Sequence, residues 1–515
     1  MNRSPRPVLF PANQEGPMRV CLIRLLLPAS AVLVALTACS GDPTGPSEKI
    51  SVTVSPDTAS LCAPGGSSTG GAVRLRATVF DASRRILTDR KPRWSSSNAN
   101  VAIVDQDGLV RSKAKGVAVI AATVDDARGT AKITVGSCEF SCPLVYSWDG
   151  RDWRLDSGTF GGAIMPALQR TDLDNLDHLT PVNGRLRLSV RNELLETDYI
   201  DALDLLAVDH PVGTRVAPDA RGRFHVFRQP VGPLSAQDHS GRDVLADVAR
   251  ADGLGWESVV RIRDTDRAEE VRDGLVLRFA RPAGSSDVHL LLDGNNTTWA
   301  ATLLGEWIAA RGSGVQAWFD SLTVRPHRAK ALGHRIAEQA FLEVAVLTDG
   351  GWERQALFWE AGPEISKRQV VHLDLSRVRG DTVVVRLESP PGFWWIDAVT
   401  LEPARYEAIR VHRLPGLSAR AHDGTDPEEV LATEDRRYLQ LETGEWAQLE
   451  YLDPPRNPGM ARSYLLRSTG WYRVHTPAQG TPNVALLALV ENEPGGLSRA
   501  ATIRLNQAIL ASTPR

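Results

Sequence analysis

Period-two alternation of apolar and polar residues dominates the chain from position 49 onward. Between 49 and 136 it recurs in short stretches, KISVTVSP, AVRLRATVFD, PRWSSSN, VAIVDQDGLVRS, GVAVIAATVDD and GTAKITV, separated by Gly, Pro, Asn and Asp. Side chains on a pleated strand alternate between its two faces, and turn residues at this spacing are those of a β-sandwich. The pattern resumes at 144, where LVYSW and RDWRL flank Asp149-Gly150, a two-residue hairpin turn. FLEVAVLTDGGWERQALFWE and QVVHLDLSRV repeat it around Asp349-Gly350. TTWAATLLGEWIAA and RAKALGHRIAEQAF instead have the apolar spacing of short helices. The chain is predicted to be mainly β, with a few short helices.

The N-terminus breaks the alternation. Arg19 and Arg24 precede an apolar run from Leu25 to Ala38. At roughly fifteen residues it is too short to span a bilayer comfortably and suits an export leader. It ends in Leu36-Thr37-Ala38-Cys39, which resembles the lipobox of bacterial lipoproteins. The resemblance implies that Cys39 is lipidated and becomes the first mature residue. Residue 40 is serine rather than aspartate, which by the enterobacterial sorting rule implies the outer membrane, facing periplasm or exterior. The reading is therefore a signal peptide over 1–38, with translation starting at Met1 or Met18, and a flexible tether over 39–48.

Within 49–136, VTVSP, LRATVFD, RWSSSNANVAIVDQDGLV and KGVAVIAATV resemble, in order, the bacterial Ig-like domain of group 2. The loop CAPGGSSTGG is longer than that family's pattern. The resemblance implies an Ig-like β-sandwich acting as a spacer or adhesive module, without catalysis. GSSTG inside the loop matches G-x-S-x-G but lacks the strand and helix that a nucleophile elbow needs.

The remainder contains matched stretches. DYIDALDLLAVDHP parallels FWWIDAVTLEPARY, SAQDHSGRDVLADVARAD parallels SARAHDGTDPEEVLATED, and LRFARP parallels LEYLDP, in the same order. Such order points to two copies of one unit, each of strands around a short helical turn. DTVVVRLESPPGFWWIDAVTL resembles the closing strands of galactose-binding-like jelly rolls, and the chain from CPLVYSWDG onward resembles an uncharacterised module of secreted bacterial proteins. The expected division is a β-rich repeat unit 1 over 137–292, a jelly-roll-like segment with short helices over 293–405, and a β-rich C-terminal region completing repeat unit 2 over 406–515.

Chemistry is sparse. A net charge of −3 without a basic stripe excludes a nucleic-acid surface. Of five cysteines, Cys21 leaves with the leader and Cys39 takes the lipid. In Ig-like sandwiches the first strand often runs parallel to the last, so the resemblance implies a Cys62–Cys138 bridge, with Cys142 the alternative partner in an oxidising compartment. No metal site is expected, since C-x-x-x-C lacks a second ligand pair, and no cofactor motif occurs. Asp172, Asp174 and Asp177 lack the glycine and glutamate of a calcium loop and are read as a solvated loop or helix start. Asp201 and Asp397, like His239 and His422, recur at matched positions, as side chains that cap loop amides would. Trp394 and Trp395 are adjacent, so on a regular strand both cannot enter one core. With Asp397 they are the candidate ligand-binding residues, unless the segment around Trp299, Trp307 and Trp318 covers them. A membrane-anchored, non-catalytic scaffold is expected, engaging a glycan or a surface protein. The enzymatic alternative, a glycan hydrolase, needs two carboxylates about 5–10 Å apart.

Overall fold

The computed structural model describes residues 50–515 apart from positions 56, 63–71, 115, 137–141, 259–260, 360–361, 406, 477–478 and 513–515. The leader, Cys39, the tether and Cys138 lie outside the described residues.

The first nine strands are β1 (Ser51–Ser55), β2 (Thr58–Cys62), β3 (Ala72–Arg74), β4 (Arg76–Phe80), β5 (Arg93–Ser96), β6 (Ala102–Val104), β7 (Leu109–Ser112), β8 (Gly116–Val124) and β9 (Ala127–Gly136). They form the sheets β2-β9-β8-β5 and β3-β7-β6 and the pair β1-β4. Leu75, Val110, Ile120 and Ile133 fill a core of their own. The motif residues have physical duties. Asp105 Oδ1 accepts the amide protons of Asp107 (3.0 Å) and Leu109 (2.9 Å). Gly108, at φ +75, lies against the Trp94 ring, and a Cβ there would sit 2.5 Å from the Leu75 carbonyl oxygen. β2 runs parallel to β9, with Cys62 opposite Gly136.

Beyond it, four half-units follow one another. The first is β10 (Leu144–Trp148), β11 (Trp153–Gly158), β12 (Arg170–Asn175), β13 (Arg185–Arg191) and β14 (Glu196–Pro211). A hairpin, β15 (Arg215–Pro218) and β16 (Phe224–Phe227), leads to the second: β17 (Ser235–Asp238), α1 (Leu245–Val248), β18 (Trp256–Glu257), β19 (Asp273–Ala280) and β20 (Asp287–Asn296). Helices α2 (Thr298–Ala309), α3 (Val315–Thr323) and α4 (Pro326–Ala340) precede the third: β21 (Leu342–Thr348), β22 (Gly351–Phe358), β23 (Lys367–Asp374), β24 (Thr382–Ser389) and β25 (Trp394–Pro403). The fourth is β26 (Arg410–Arg413), β27 (Gly416–Ala421), α5 (Glu428–Leu431), β28 (Leu439–Glu442), β29 (Trp446–Leu452) and β30 (Met460–Val474). Helices α6 (Val484–Asn492) and α7 (Gly496–Ser512) end the described chain.

These halves pair in a nested fashion. The second and third close one sandwich, with sheets β17-β19-β24-β21-β22 and β18-β25-β20-β23. The first and fourth close the other, with sheets β27-β29-β13-β10-β11 and β12-β30-β14-β26, β28 also pairing with β14. Apart from β26, which has only an isolated Val231–Leu401 bridge as its counterpart, the two are equivalent strand for strand, and their chain orders differ by a circular permutation. The matched sequence stretches fall on equivalent strands: β14 with β25, β17 with β27, β19 with β29. Consequently the boundaries 137–292, 293–405 and 406–515 cut across the sheets and do not delimit the sandwiches. Residues 484–512 are also helical, where a β-rich region was expected. Asn483 caps α6 by accepting the Leu486 amide proton at 3.1 Å, and the Leu- and Ala-rich run behind it favours helix.

The same device recurs in both sandwiches. Asp201 interrupts the register of β14 with β30, and Asp397 that of β25 with β20. Each is an extra residue on its strand, with its carboxylate turned onto a loop. Asp201 Oδ1 accepts from the amides of Asp435 (3.2 Å) and Arg436 (2.7 Å). Asp397 Oδ1 accepts from those of Asp252 (3.3 Å) and Gly253 (3.0 Å). Opposite each bulge stands a glycine. A Cβ on Gly470 would meet the Tyr199 carbonyl oxygen at 2.5 Å, and one on Gly294 the Trp395 carbonyl oxygen at 2.8 Å. Gly470→Ala is therefore expected to cost about 1–3 kcal/mol through backbone displacement. Gly314→Ala, where nothing lies within 4 Å, is the control in thermal melts. Equal melting temperatures for the two variants would refute the bulge argument.

Candidate functional site

β12 and β23 occupy equivalent edges of the two sandwiches and meet beside the helical layer. A polar cleft of about 580 Å³ lies between them. An apolar cavity of about 360 Å³ adjoins it, walled by Ile164, Met165, Leu332, Ile336, Phe341 and Tyr472. Arg170, Thr171, Ala220 and Trp359 line both compartments. The 3-10 turn Pro166–Leu168 forms part of the apolar wall. α4 approaches it closely, because a Cβ on Gly333 would lie 2.7 Å from Leu168.

Trp359 divides the compartments. Gln369 on β23 grips its backbone, accepting the Trp359 amide proton at 2.9 Å and donating to its carbonyl at 3.0 Å. The Phe341 ring lies 4.9 Å from the Trp359 ring, centroid to centroid. The Arg170 guanidinium sits 5.2 Å from the same ring, a cation–π geometry. That guanidinium also donates to the Gly161 carbonyl at 3.1 Å and pairs with Asp172 at 2.6 Å.

A buried ion pair joins the two edge strands: Lys367 Nζ lies 2.8 Å from Asp174 Oδ1, with both side chains about nine-tenths buried. Burial pushes the Asp174 carboxyl up, against the pull of Lys367. Burial works against the Lys367 charge, but Asp174 and then Asp172 hold its pKa above the usual lysine value. Asp174 Oδ2 has no hydrogen-bond partner among the described residues. Spacing of two residues on a strand puts Asp172 and Asp174 on one face. Both are buried, so this part of TDLDNLDHL is an edge strand rather than a solvated loop or helix start.

The candidate ligand-binding residues singled out in the sequence lie elsewhere. Trp394 is 1% exposed and belongs to the main core, its Nε1 donating to the Ala340 carbonyl at 3.4 Å, so it offers no ring to a ligand. Trp395 is half-buried against Gly255, whose Cβ would fall 2.6 Å from its ring. Asp397 is engaged by the 252–253 loop. The structure thus does not assemble Trp394, Trp395 and Asp397 into an open site. Trp299 packs on Gly392 instead, and Trp307 and Trp318 flank the Arg311 guanidinium at 4.6 and 3.6 Å. Cys142 is buried in the core of the sandwiches, away from the Ig-like core. His239 approaches Glu388 (3.4 Å) and His422 approaches Glu445 (3.1 Å).

His225, His289 and His372 lie in a row, with ring centroids 4.3 and 6.0 Å apart. Burial first, then the two neighbouring histidines, pushes His289 down to about 4. Among the described residues no group of three or more His, Cys, Asp or Glu side chains is arranged to hold a metal ion. None of their helices is long and apolar enough to cross a membrane.

Residues 50–135 match the family of bacterial Ig-like domains, group 2, and this part of the chain is such a domain. Comparison with curated proteins finds no match. Among solved structures, domains 5-6 of the S-layer protein SbsC share 12% identity over 35% of this chain and 85% of theirs, with a TM-score of 0.16. Domains 4 and 5 of the same protein share 12% over 37% of this chain and 90% of theirs, also at 0.16. A Salmonella alpha-2-macroglobulin reacted with methylamine shares 11% over 84% of this chain and 30% of its own, at 0.14. At these scores the likenesses carry no functional argument.

Proposed function

We propose that the chain is a non-catalytic lipoprotein scaffold of the outer membrane, acylated at Cys39, whose Ig-like domain spaces the paired sandwiches from the bilayer. The observation that carries this reading is the order of parts: a basic, then apolar leader, Leu36-Thr37-Ala38-Cys39, a short Gly/Pro/Ser tether, and an Ig-like module. Several acyl chains on one residue make an anchor stable where a single chain is marginal. A bridge between Cys62 and Cys138 belongs to the same proposal. It is supported by the parallel β2–β9 pairing, which brings Cys62 opposite Gly136.

Cys39→Ser is expected to move the protein from the membrane fraction to the soluble one. Intact mass of the wild-type mature chain should show an acylated N-terminus at residue 39. A membrane-bound Cys39→Ser protein, or an unacylated wild-type chain retaining its leader, would end the proposal.

A further inference from the structure

The cleft between β12 and β23 has an apolar and a polar compartment with a shared wall, and we propose that it binds an amphiphile. An alkyl or acyl chain lies under α4, and a hydroxyl-rich, glycosyl-type head lies between the two edge strands. This goes beyond the scaffold reading and does not depend on acylation at Cys39.

The apolar compartment, about 360 Å³ and walled by aliphatic and aromatic side chains, is of the size and character that takes a small apolar moiety out of water. The polar compartment selects the head. Both signs of charge line it: Arg221, Arg368 and Arg467 stand there with Asp172, Asp219 and Asp174. Lys367 is beside Asp174, bonded to Oδ1 at 2.8 Å, with further protons to donate. Gln369, Thr171 and Arg170 line the same space. A hydroxyl donates and accepts at once, so it suits a lining that carries carboxylates and cations together. A carboxylate or phosphate only accepts and would bring like charge to Asp172, Asp174 and Asp219. Because Arg170, Thr171, Ala220 and Trp359 border both compartments, one molecule reaches both. A free sugar leaves the apolar part empty, and a plain fatty acid mismatches the polar part.

The test uses the full chain carrying Cys39→Ser, which avoids the competing detergent that an acylated protein requires. Octyl glucoside below its micelle concentration, octanoate and glucose are titrated separately by calorimetry. One saturable glucoside site is expected, roughly tenfold tighter than either other probe. Ala337→Trp fills the apolar compartment. Ala220→Trp, at an exposed position bordering both compartments, blocks their junction without burdening the fold. Each should weaken glucoside binding roughly tenfold at an unchanged melting temperature. The proposal is overturned by absence of saturable binding, by octanoate or glucose binding as tightly as the glucoside, or by indifference to Ala220→Trp.

Discussion

A fragment of residues 214–405 is expected to fold alone, with one cooperative thermal transition, while a fragment of residues 143–296 is expected to show none. The first contains every strand of the sheets β17-β19-β24-β21-β22 and β18-β25-β20-β23, together with the β15–β16 hairpin. In that hairpin Ala217 and Phe227 pack on Leu291 and Val370. The second is the stretch that contiguous repeats would make a unit, yet most of its central pairings are missing. β14 loses β30, which pairs it from Glu196 to Pro211, β13 loses β29, β19 loses β24, and β20 loses both β23 and β25. Strands buried on both sides become open edges, and such edges associate rather than fold. The 214–405 fragment should still melt below the whole chain. Its α2–α4 layer loses α6 and α7, leaving Trp307 and Ile308, 4% and 0% exposed in the whole protein, without part of their cover. Circular dichroism melts with sedimentation decide the matter. A monomeric 143–296 fragment that melts cooperatively, beside a 214–405 fragment that does not, refutes the nested arrangement.

That arrangement shows where sequence reading stops. Alternation and turn residues made the strands legible because each strand has one wet and one dry face. The Trp94, Asp105 and Gly108 signature was legible because one ring, one capping carboxylate and one left-handed glycine must coincide. Asp201 and Asp397 could be matched because a bulge with its loop cap is a local device. Partner choice is not local. Equivalent halves present equivalent strand faces, so a repeat reveals which strands correspond but not which half closes on which. The cleft was hidden for a related reason. Lys367 and Asp174 are 193 positions apart (367 − 174) and meet only because two equivalent edges meet. Trp394 drew notice through its neighbour, yet a strand that alternates buries one of two adjacent rings, and Trp394 is the buried one.

Asp198→Asn is expected to stabilise the protein at neutral pH, with a gain that vanishes on acidification. Glu196 and Asp198 stand two apart on β14, 1% and 0% exposed, on one face of the strand. No amide or cationic donor reaches either oxygen of Asp198 among the described residues. Burial drives both carboxyls far above their usual range. For Glu196 the neighbouring Asp198 charge adds to the rise. For Asp198 the neighbouring Glu196 carboxyl pulls back, while the charge of Glu442 adds. A carboxyl raised in the folded state contributes its full stability below the unfolded value and loses it as pH climbs toward the folded value. The unfolded chain ionises from about pH 4, so the mismatch between the two states opens there and widens as pH rises. The buried amide of Asn brings its own desolvation cost of about 1–3 kcal/mol. The variant should thus be less stable than the wild type near pH 4 by about that cost and overtake it as pH rises toward 7. Denaturant unfolding of wild type and variant across pH 4–8 reads this directly. The difference between the two curves should rise with pH by as much as about 1.4 kcal/mol per unit. A pH-independent difference would mean that the pair is not protonated in the fold, and that β14 carries two buried charges with some compensation other than a proton.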